Sequence, residues 1–274
     1  MINYFITGIT GQDGIFLTKK LLEKNKNLHI YGSTRQTKNP NFFNKLSTIC
    51  SFENSRITLI NIDLCDRNMV MNFLTDVRPA QIYNMSGPSS VYESYKKPTK
   101  ARYEIETIFD NLTKSLVKLK FFPKLFQASS SEMFGPLSHS SLTEEDPLEP
   151  ISPYAKAKLA NHKKVDSLRQ KYDWEIYSGI LFNHESQFRN DNYLLKKIIN
   201  SAKQISEKKE KKITLGSLDY QRDWTFAEDT VEAILKITNS NTKQDFVIGS
   251  GEIHSINEMA NVVFEYFNLE LEKY

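Results

Sequence analysis

The sequence predicts an α/β protein built on a doubly wound parallel sheet, with a small second lobe interleaved with it. Two observations carry that expectation. Over the first 130 residues, short apolar runs alternate with longer amphipathic ones, the pattern of right-handed crossovers over a sheet covered on both faces. A glycine-rich turn, Gly8-Ile9-Thr10-Gly11-Gln12-Asp13-Gly14, then joins the first apolar run to the first amphipathic one. Composition agrees. With 39% hydrophobic and 25% charged residues in 274, the chain is unlike disordered, collagen-like or coiled-coil sequences.

Each element follows from its local pattern. Residues 4–7 read as a buried strand, and 14–24 as a helix with Phe16, Leu17, Leu21 and Leu22 on one face. Strands are expected at 28–33, 57–60, 80–85 and 125–129, with helices at 68–77 and 101–120. Ser152 can cap a helix that starts at Pro153 and runs to about residue 171. A strand at 175–181 follows. The pattern then loosens into helices at 193–208, 227–238 and 256–267 and short strands at 213–215 and 246–248. No repeat, low-complexity stretch or linker interrupts it. The expected division is a Rossmann-like dinucleotide domain over 1–182, completed by about 213–249, and a partial substrate lobe from 183–212 and 250–274.

Charge and cysteine content exclude several classes. Lys+Arg 36 against Asp+Glu 33 gives +3, too balanced for a nucleic-acid or membrane-surface binder. The basic cluster at 208–212 reads as a solvated helix end. Two cysteines, Cys50 and Cys65, make neither a disulfide framework nor a metal-ligand spacing, and the five histidines are scattered, so no metal is expected. No apolar run approaches the ~20 residues that span a bilayer, and the N-terminal stretch lacks the basic segment of a signal peptide. A cytoplasmic location with reduced thiols is the expectation.

The glycines at 8, 11 and 14 have the spacing that lets a turn tighten, brings backbone N–H groups to a pyrophosphate and packs the helix close to the sheet. Cofactor contacts are therefore expected from Gly8, Thr10, Gly11, Gln12, Asp13 and Gly14. After the second strand stands Gly32-Ser33-Thr34-Arg35-Gln36, without the carboxylate that would hold a ribose 2′-hydroxyl. Arg35 can pair with a 2′-phosphate through its guanidinium fork, which favours NADP. Asp63 and Leu64, after the third strand, are placed to border the adenine.

Tyr154 and Lys158 form a Tyr-x-x-x-Lys pair on one helix face. A tyrosine acts as a base only if its pKa falls from ~10 toward neutrality, roughly 3 units or ~4 kcal/mol, and a neighbouring ammonium is the group to supply it. Tyr92/Lys96 and Tyr193/Lys197 share the spacing, but Tyr154 alone follows the fifth strand at a helix start. Upstream lies Ser129-Ser130-Ser131-Glu132, leaving the carboxyl end of a strand, where open α/β sheets place their ligand crevice. Ser130 can donate to a substrate carbonyl, and Glu132 can carry a proton.

These motifs, with Gly179-Ile180-Leu181-Phe182-Asn183-His184-Glu185-Ser186 and Arg222-Asp223-Trp224, make the chain resemble the GDP-mannose 4,6-dehydratase family of the extended short-chain dehydrogenase/reductases. The resemblance runs from residue 2 to about 270. It implies a GDP-sugar substrate oxidised at C4 with NADP, Tyr154 taking the hydroxyl proton. Glu132 then removes the C5 proton and protonates the departing C6 hydroxyl, and reduction at C6 regenerates the cofactor. It also implies substrate contacts from Ser89, Glu132, Asn183, Lys197 and Arg222.

Several positions depart from the family. Pro88 and Ser90 replace the usual Gln and His, Gln36 replaces a second arginine, and Gln187-Phe188-Arg189-Asn190 replaces a Pro-Arg-Arg-Gly segment that meets a neighbouring subunit. The expected assembly is thus a homodimer through 101–120 and 153–171 rather than a tetramer. Family members also continue past Tyr274 with more of the nucleotide-gripping lobe, so a partial lobe is expected, in a fragment or a short natural form. Two alternatives stay open: a nucleotide-sugar 4-epimerase or ketoreductase of the same superfamily, and a catalytically idle NADP-binding protein.

Overall fold

A computed structural model describes residues 1–35, 39–136, 141–240 and 242–274; Gln36 and His139 lie outside the described residues. In chain order the elements begin with β1 (Ile2–Thr7), α1 (Gln12–Lys24), β2 (Leu28–Thr34), α2 (Pro40–Ser47), β3 (Ile57–Asn61), α3 (Arg67–Val77) and β4 (Gln81–Asn84). They continue with α4 (Val91–Lys96), α5 (Pro98–Lys118), β5 (Lys124–Ser130), a 3₁₀ turn (Ser131–Phe134), α6 (Pro153–Tyr172) and β6 (Ile176–Leu181). Then come β7 (Asn183–Glu185), α7 (Leu194–Ser206), β8 (Gln221–Phe226), α8 (Ala227–Asn239), β9 (Asp245–Ile248), β10 (Ile253–Ser255) and α9 (Ile256–Tyr266).

The chain forms two compact units, Met1–Phe182 with Ala227–Ile248, and Asn183–Phe226 with Gly249–Tyr274. The first holds a seven-stranded parallel sheet in the order β3-β2-β1-β4-β5-β6-β9. Its order reverses between β1 and β4, which places the switch point of the doubly wound fold directly after Thr7 and Asn84. One core cluster joins Phe5, Ile82 and Leu125 of the strands to Val70, Leu74, Phe109, Leu112, Leu116 and Val165 of α3, α5 and α6. The second unit pairs β8 with β7 in parallel and with β10 in antiparallel. Its core packs Ile198, Ala202 and Ile205 of α7 against Ala260, Val263 and Phe264 of α9.

The expected return to the first unit over 213–249 is narrower, 227–248, because β8 pairs inside the second unit. No strand forms at 213–215. Ile213 and Leu215 pack on the α7/α9 cluster, and the Ile213 N–H donates to the Tyr274 carbonyl at 3.2 Å instead of to a ladder. Helix α2 adds to the expected elements and is set by its start: Asn39 accepts from the Phe42 N–H at 3.1 Å, and Pro40 follows.

Candidate active site

The glycine turn is built for close backbone approach. Gly8 sits at φ +68°, and a Cβ there would meet the Met85 carbonyl and Ser86 at 3.2–3.3 Å. A Cβ on Gly14 would stand 2.5 Å from the Ile9 carbonyl oxygen, so only glycine lets α1 start this close to the turn. The Ile9 side chain in turn fills the space over Gly32, where a Cβ would fall 2.4 Å from it. Ser33 accepts from the Gly8 N–H at 3.0 Å and holds the turn's first corner. At the helix N-cap, Gly11 is exposed and supplies no side-chain cap, and Asp13 occupies the first turn. The positive end of a helix, beside a glycine surface with no N-cap side chain in the way, fits the pyrophosphate of a nicotinamide dinucleotide.

Arg35 follows β2 with a side chain 94% exposed, its Nη2 4.0 Å from Glu104 Oε2. Asp63 is exposed, and its Oδ1 accepts the Cys65 N–H at 2.9 Å. Leu64 is buried in the core, and its carbonyl accepts from Asn111 Nδ2 at 3.0 Å.

The catalytic candidates lie at the carboxyl end of β5 and the start of α6. Ser130 closes β5 buried, and its Oγ accepts the Glu132 N–H at 3.3 Å, capping the 3₁₀ turn. Met133 and Phe134 anchor that turn in a cluster with Ile180, Leu142 and Phe182, while Glu132 between them and Ser130 remains half-exposed. Gly135 ends the turn at φ +78°, with its Cβ position occupied by the Glu149 carbonyl. Ser152 caps α6 by accepting the Ala155 N–H at 3.0 Å, and Pro153 fills the first helical position.

Tyr154, Lys158 and His162 then follow one buried face of α6. The Lys158 Nζ lies 5.7 Å from the Tyr154 ring centroid and donates to the Ala128 carbonyl at 2.8 Å. Burial pulls its pKa down to about 8, a fall that the Asp13 carboxylate opposes. Sequence reasoning missed three supports of this helix. Ser94 of α4 accepts from the Tyr154 N–H at 3.3 Å, Asn161 Nδ2 donates to the Ile105 carbonyl at 2.8 Å, and His162 Nε2 lies 3.2 Å from Asp245 Oδ2. The usable signal for His162 was a polar residue recurring four positions after Lys158.

Ser89 is exposed in the loop between β4 and α4, and Ser90, next to it, caps α4 by accepting the Glu93 N–H at 3.1 Å. The substrate candidates of the second unit are spread over three elements. Asn183 opens β7, where its carbonyl accepts from Thr225 Oγ1 at 3.4 Å. Lys197 is exposed on α7 and donates to the Thr214 carbonyl at 2.7 Å. Arg222 on β8 donates to the Gln221 carbonyl at 2.8 Å, with its guanidinium 5.9 Å from the Tyr220 ring. Among the described residues no group of His, Cys, Asp or Glu is arranged to hold a metal ion, and no helix is long and apolar enough to cross a membrane.

Residues 5–274 match the family described as GDP-mannose 4,6 dehydratase. The chain is 32% identical to the GDP-mannose 4,6 dehydratase of Drosophila melanogaster, covering 97% of this chain and 68% of that one. To the human GDP-mannose 4,6 dehydratase it is 34% identical over 94% of this chain and 70% of the relative. Among solved structures, dTDP-glucose 4,6-dehydratase from Streptomyces venezuelae, with NAD bound, superposes with a TM-score of 0.86 at 17% identity, covering 99% of this chain and 83% of that one.

Proposed function

The chain belongs to the GDP-mannose 4,6-dehydratase family, and on that premise we propose that it converts GDP-D-mannose to GDP-4-dehydro-6-deoxy-D-mannose by oxidation at C4, loss of water across C5 and C6, and reduction at C6. Glu132 is the observation that carries this reading. Oxidation and reduction need only a Tyr/Lys pair, whereas eliminating water needs a further group to take the C5 proton and give one to the C6 hydroxyl. Glu132 is a half-exposed carboxylate on a turn whose apolar neighbours are locked in the core, next to Ser130 and in the unit that carries Tyr154 and Lys158.

We assign the cofactor as NADP, held by Gly8, Thr10, Gly11, Gln12, Asp13 and Gly14 at its diphosphate, Arg35 at its 2′-phosphate, and Asp63 and Leu64 near the adenine. When bound, the cofactor would supply the reversible two-electron chemistry that oxidation at C4 and reduction at C6 of the sugar require. Tyr154 is the base for the C4 hydroxyl. The buried Lys158 ammonium favours its phenolate, and Ser130 donates to the oxygen that becomes the ketone. A C4 ketone acidifies the C5 hydrogen that Glu132 then removes. Ser89, Asn183, Lys197 and Arg222 bind the substrate, the two cations meeting its diphosphate.

We further infer a cytoplasmic homodimer. The cysteines Cys50 and Cys65 are free. The outer faces of α5 and α6 border, with α3, a groove of about 590 Å³ lined by Arg67, Asp110, Lys114, Lys164 and Tyr172. Arg189 is folded into its own unit, paired with Glu185 at 3.3 Å and stacked 3.7 Å over Tyr193, which speaks against use of this arginine in a tetramer contact. The test is incubation with GDP-mannose and NADP. A 4-keto sugar with no net change in NADPH is expected; failure to turn over GDP-mannose while another nucleotide sugar reacts would overturn the assignment.

A further inference from the structure

A parallel strand buried on both faces is ordinarily apolar throughout. Here one register level is polar from β1 to the edge strand β9: Thr7 of β1 pairs with Asn84 of β4, Asn84 with Gln127 of β5, Gln127 with Ser178 of β6, and Ser178 with Asp245 of β9. Thr7, Asn84, Gln127 and Ser178 are all buried. Buried polar side chains on adjacent strands persist when they are mutually satisfied, and these are.

Their hydrogen bonds run in one direction. The Ser86 N–H donates to Thr7 Oγ1 at 3.1 Å, and Thr7 Oγ1 donates to Asn84 Oδ1 at 2.7 Å. Asn84 Nδ2 donates to Gln127 Oε1 at 2.6 Å, and Gln127 Nε2 donates to the Ala128 carbonyl at 2.9 Å. That carbonyl also receives the Lys158 ammonium. Each amide's orientation is dictated by the donor before it, so neither can rotate without placing two acceptors face to face. The row's far end grips the same helix one turn on: His162 Nδ1 lies 2.9 Å from Ser178 Oγ, and its Nε2 faces Asp245.

We infer that Asn84 and Gln127 are positioning residues of the reaction, a hydrogen-bonded strut that runs from the glycine turn to the Ala128 carbonyl and fixes where Lys158 presents its ammonium. The strut starts at Thr7, the residue before Gly8, and Ser86 lies against Gly8 as well. Cofactor turn and catalytic lysine thereby share one rigid polar frame. The kinetic arm of the test rests on the dehydratase reading above; the spectroscopic arm does not.

Gln127→Met keeps the side chain's length and removes both bonds without adding charge. Its kcat should fall about tenfold at every pH, with KM for the nucleotide sugar within twofold. Gln127→Glu places an acceptor where Ala128 needs a donor. Ionised, it should be as slow as the methionine variant; protonated, its O–H replaces the amide donor, so the ratio of variant to wild-type kcat should climb back toward one as pH falls. Independently of turnover, lysine ¹³Cε NMR follows the Lys158 signal, assigned by its loss in Lys158→Met. With Asp13 unchanged, the carboxylate introduced by Gln127→Glu should raise the Lys158 midpoint by about one pH unit or more.

Should neither variant fold, Asn84→Asp supplies the same carboxylate one link further from Lys158, with both effects in the same direction. A folded Gln127→Met with kcat within twofold of wild type, or a Gln127→Glu ratio flat with pH and an unmoved Lys158 midpoint, overturns the inference. A wild-type protein that turns over no nucleotide sugar overturns the reading above and leaves the NMR result to decide this one.

Discussion

Lys158 and Lys197, both proposed to act in the reaction, are held very differently by the two units. In the first unit Lys158 is 7% exposed, its ammonium fixed on the Ala128 carbonyl and its pKa drawn down by burial. In the second, Lys197 and Arg222 are tied to local backbone carbonyls of a solvent-reachable surface. A buried group is costly to place but needs no reorganisation when the reaction begins, and that is what a proton-transfer centre requires. An exposed cation must exchange a carbonyl and water for phosphate oxygens, giving modest affinity that is easily altered. On the proposed roles, the contrast gives rate to the first unit and affinity to the second.

Substitutions can break that division or sharpen it. The largest effect belongs to Tyr154→Phe, which removes the proton acceptor and should lower kcat by about 10³-fold, within the range for lost acid–base catalysis, while KM changes little. Gly14→Ala forces a Cβ against the Ile9 backbone; it should cost about 2 kcal/mol or more and lower the thermal midpoint by several degrees, with a matching loss of cofactor retention. Arg222→Ala should raise KM about tenfold with kcat nearly unchanged, and Lys197→Ala somewhat less. A large kcat loss from either cation would break the comparison.

The pH dependence is the subtlest test. Lys158 is charged below about 8 and neutral above, so support for the Tyr154 phenolate should weaken as pH rises past that value. In Lys158→Met the alkaline limb of kcat/KM at that pH should disappear.

How much of this was legible beforehand depends on what each feature rests on. Strand and helix alternation, the glycine turn and the Ser152–Lys158 helix start are local patterns, and they appear in the fold close to where periodicity and capping put them. Short elements were not: β7, β8 and β10 span three to six residues and owe their existence to pairing with segments remote in sequence. Asn84 and Gln127 were visible only as polar interruptions in apolar runs. Their meaning depends on register across three strands, which no single window contains. The expected strand at 213–215 failed for the converse reason, a suitable pattern with no neighbouring strand to pair with.

In the proposed reaction one site oxidises C4 and then reduces C6 of the same sugar. GDP-mannose deuterated at C4 tests it most directly. A 4-keto product carrying the deuterium at C6, with solvent hydrogen at C5, is expected. A product that keeps deuterium at C4 with inverted configuration, or a keto sugar whose C6 has gained none, would contradict it.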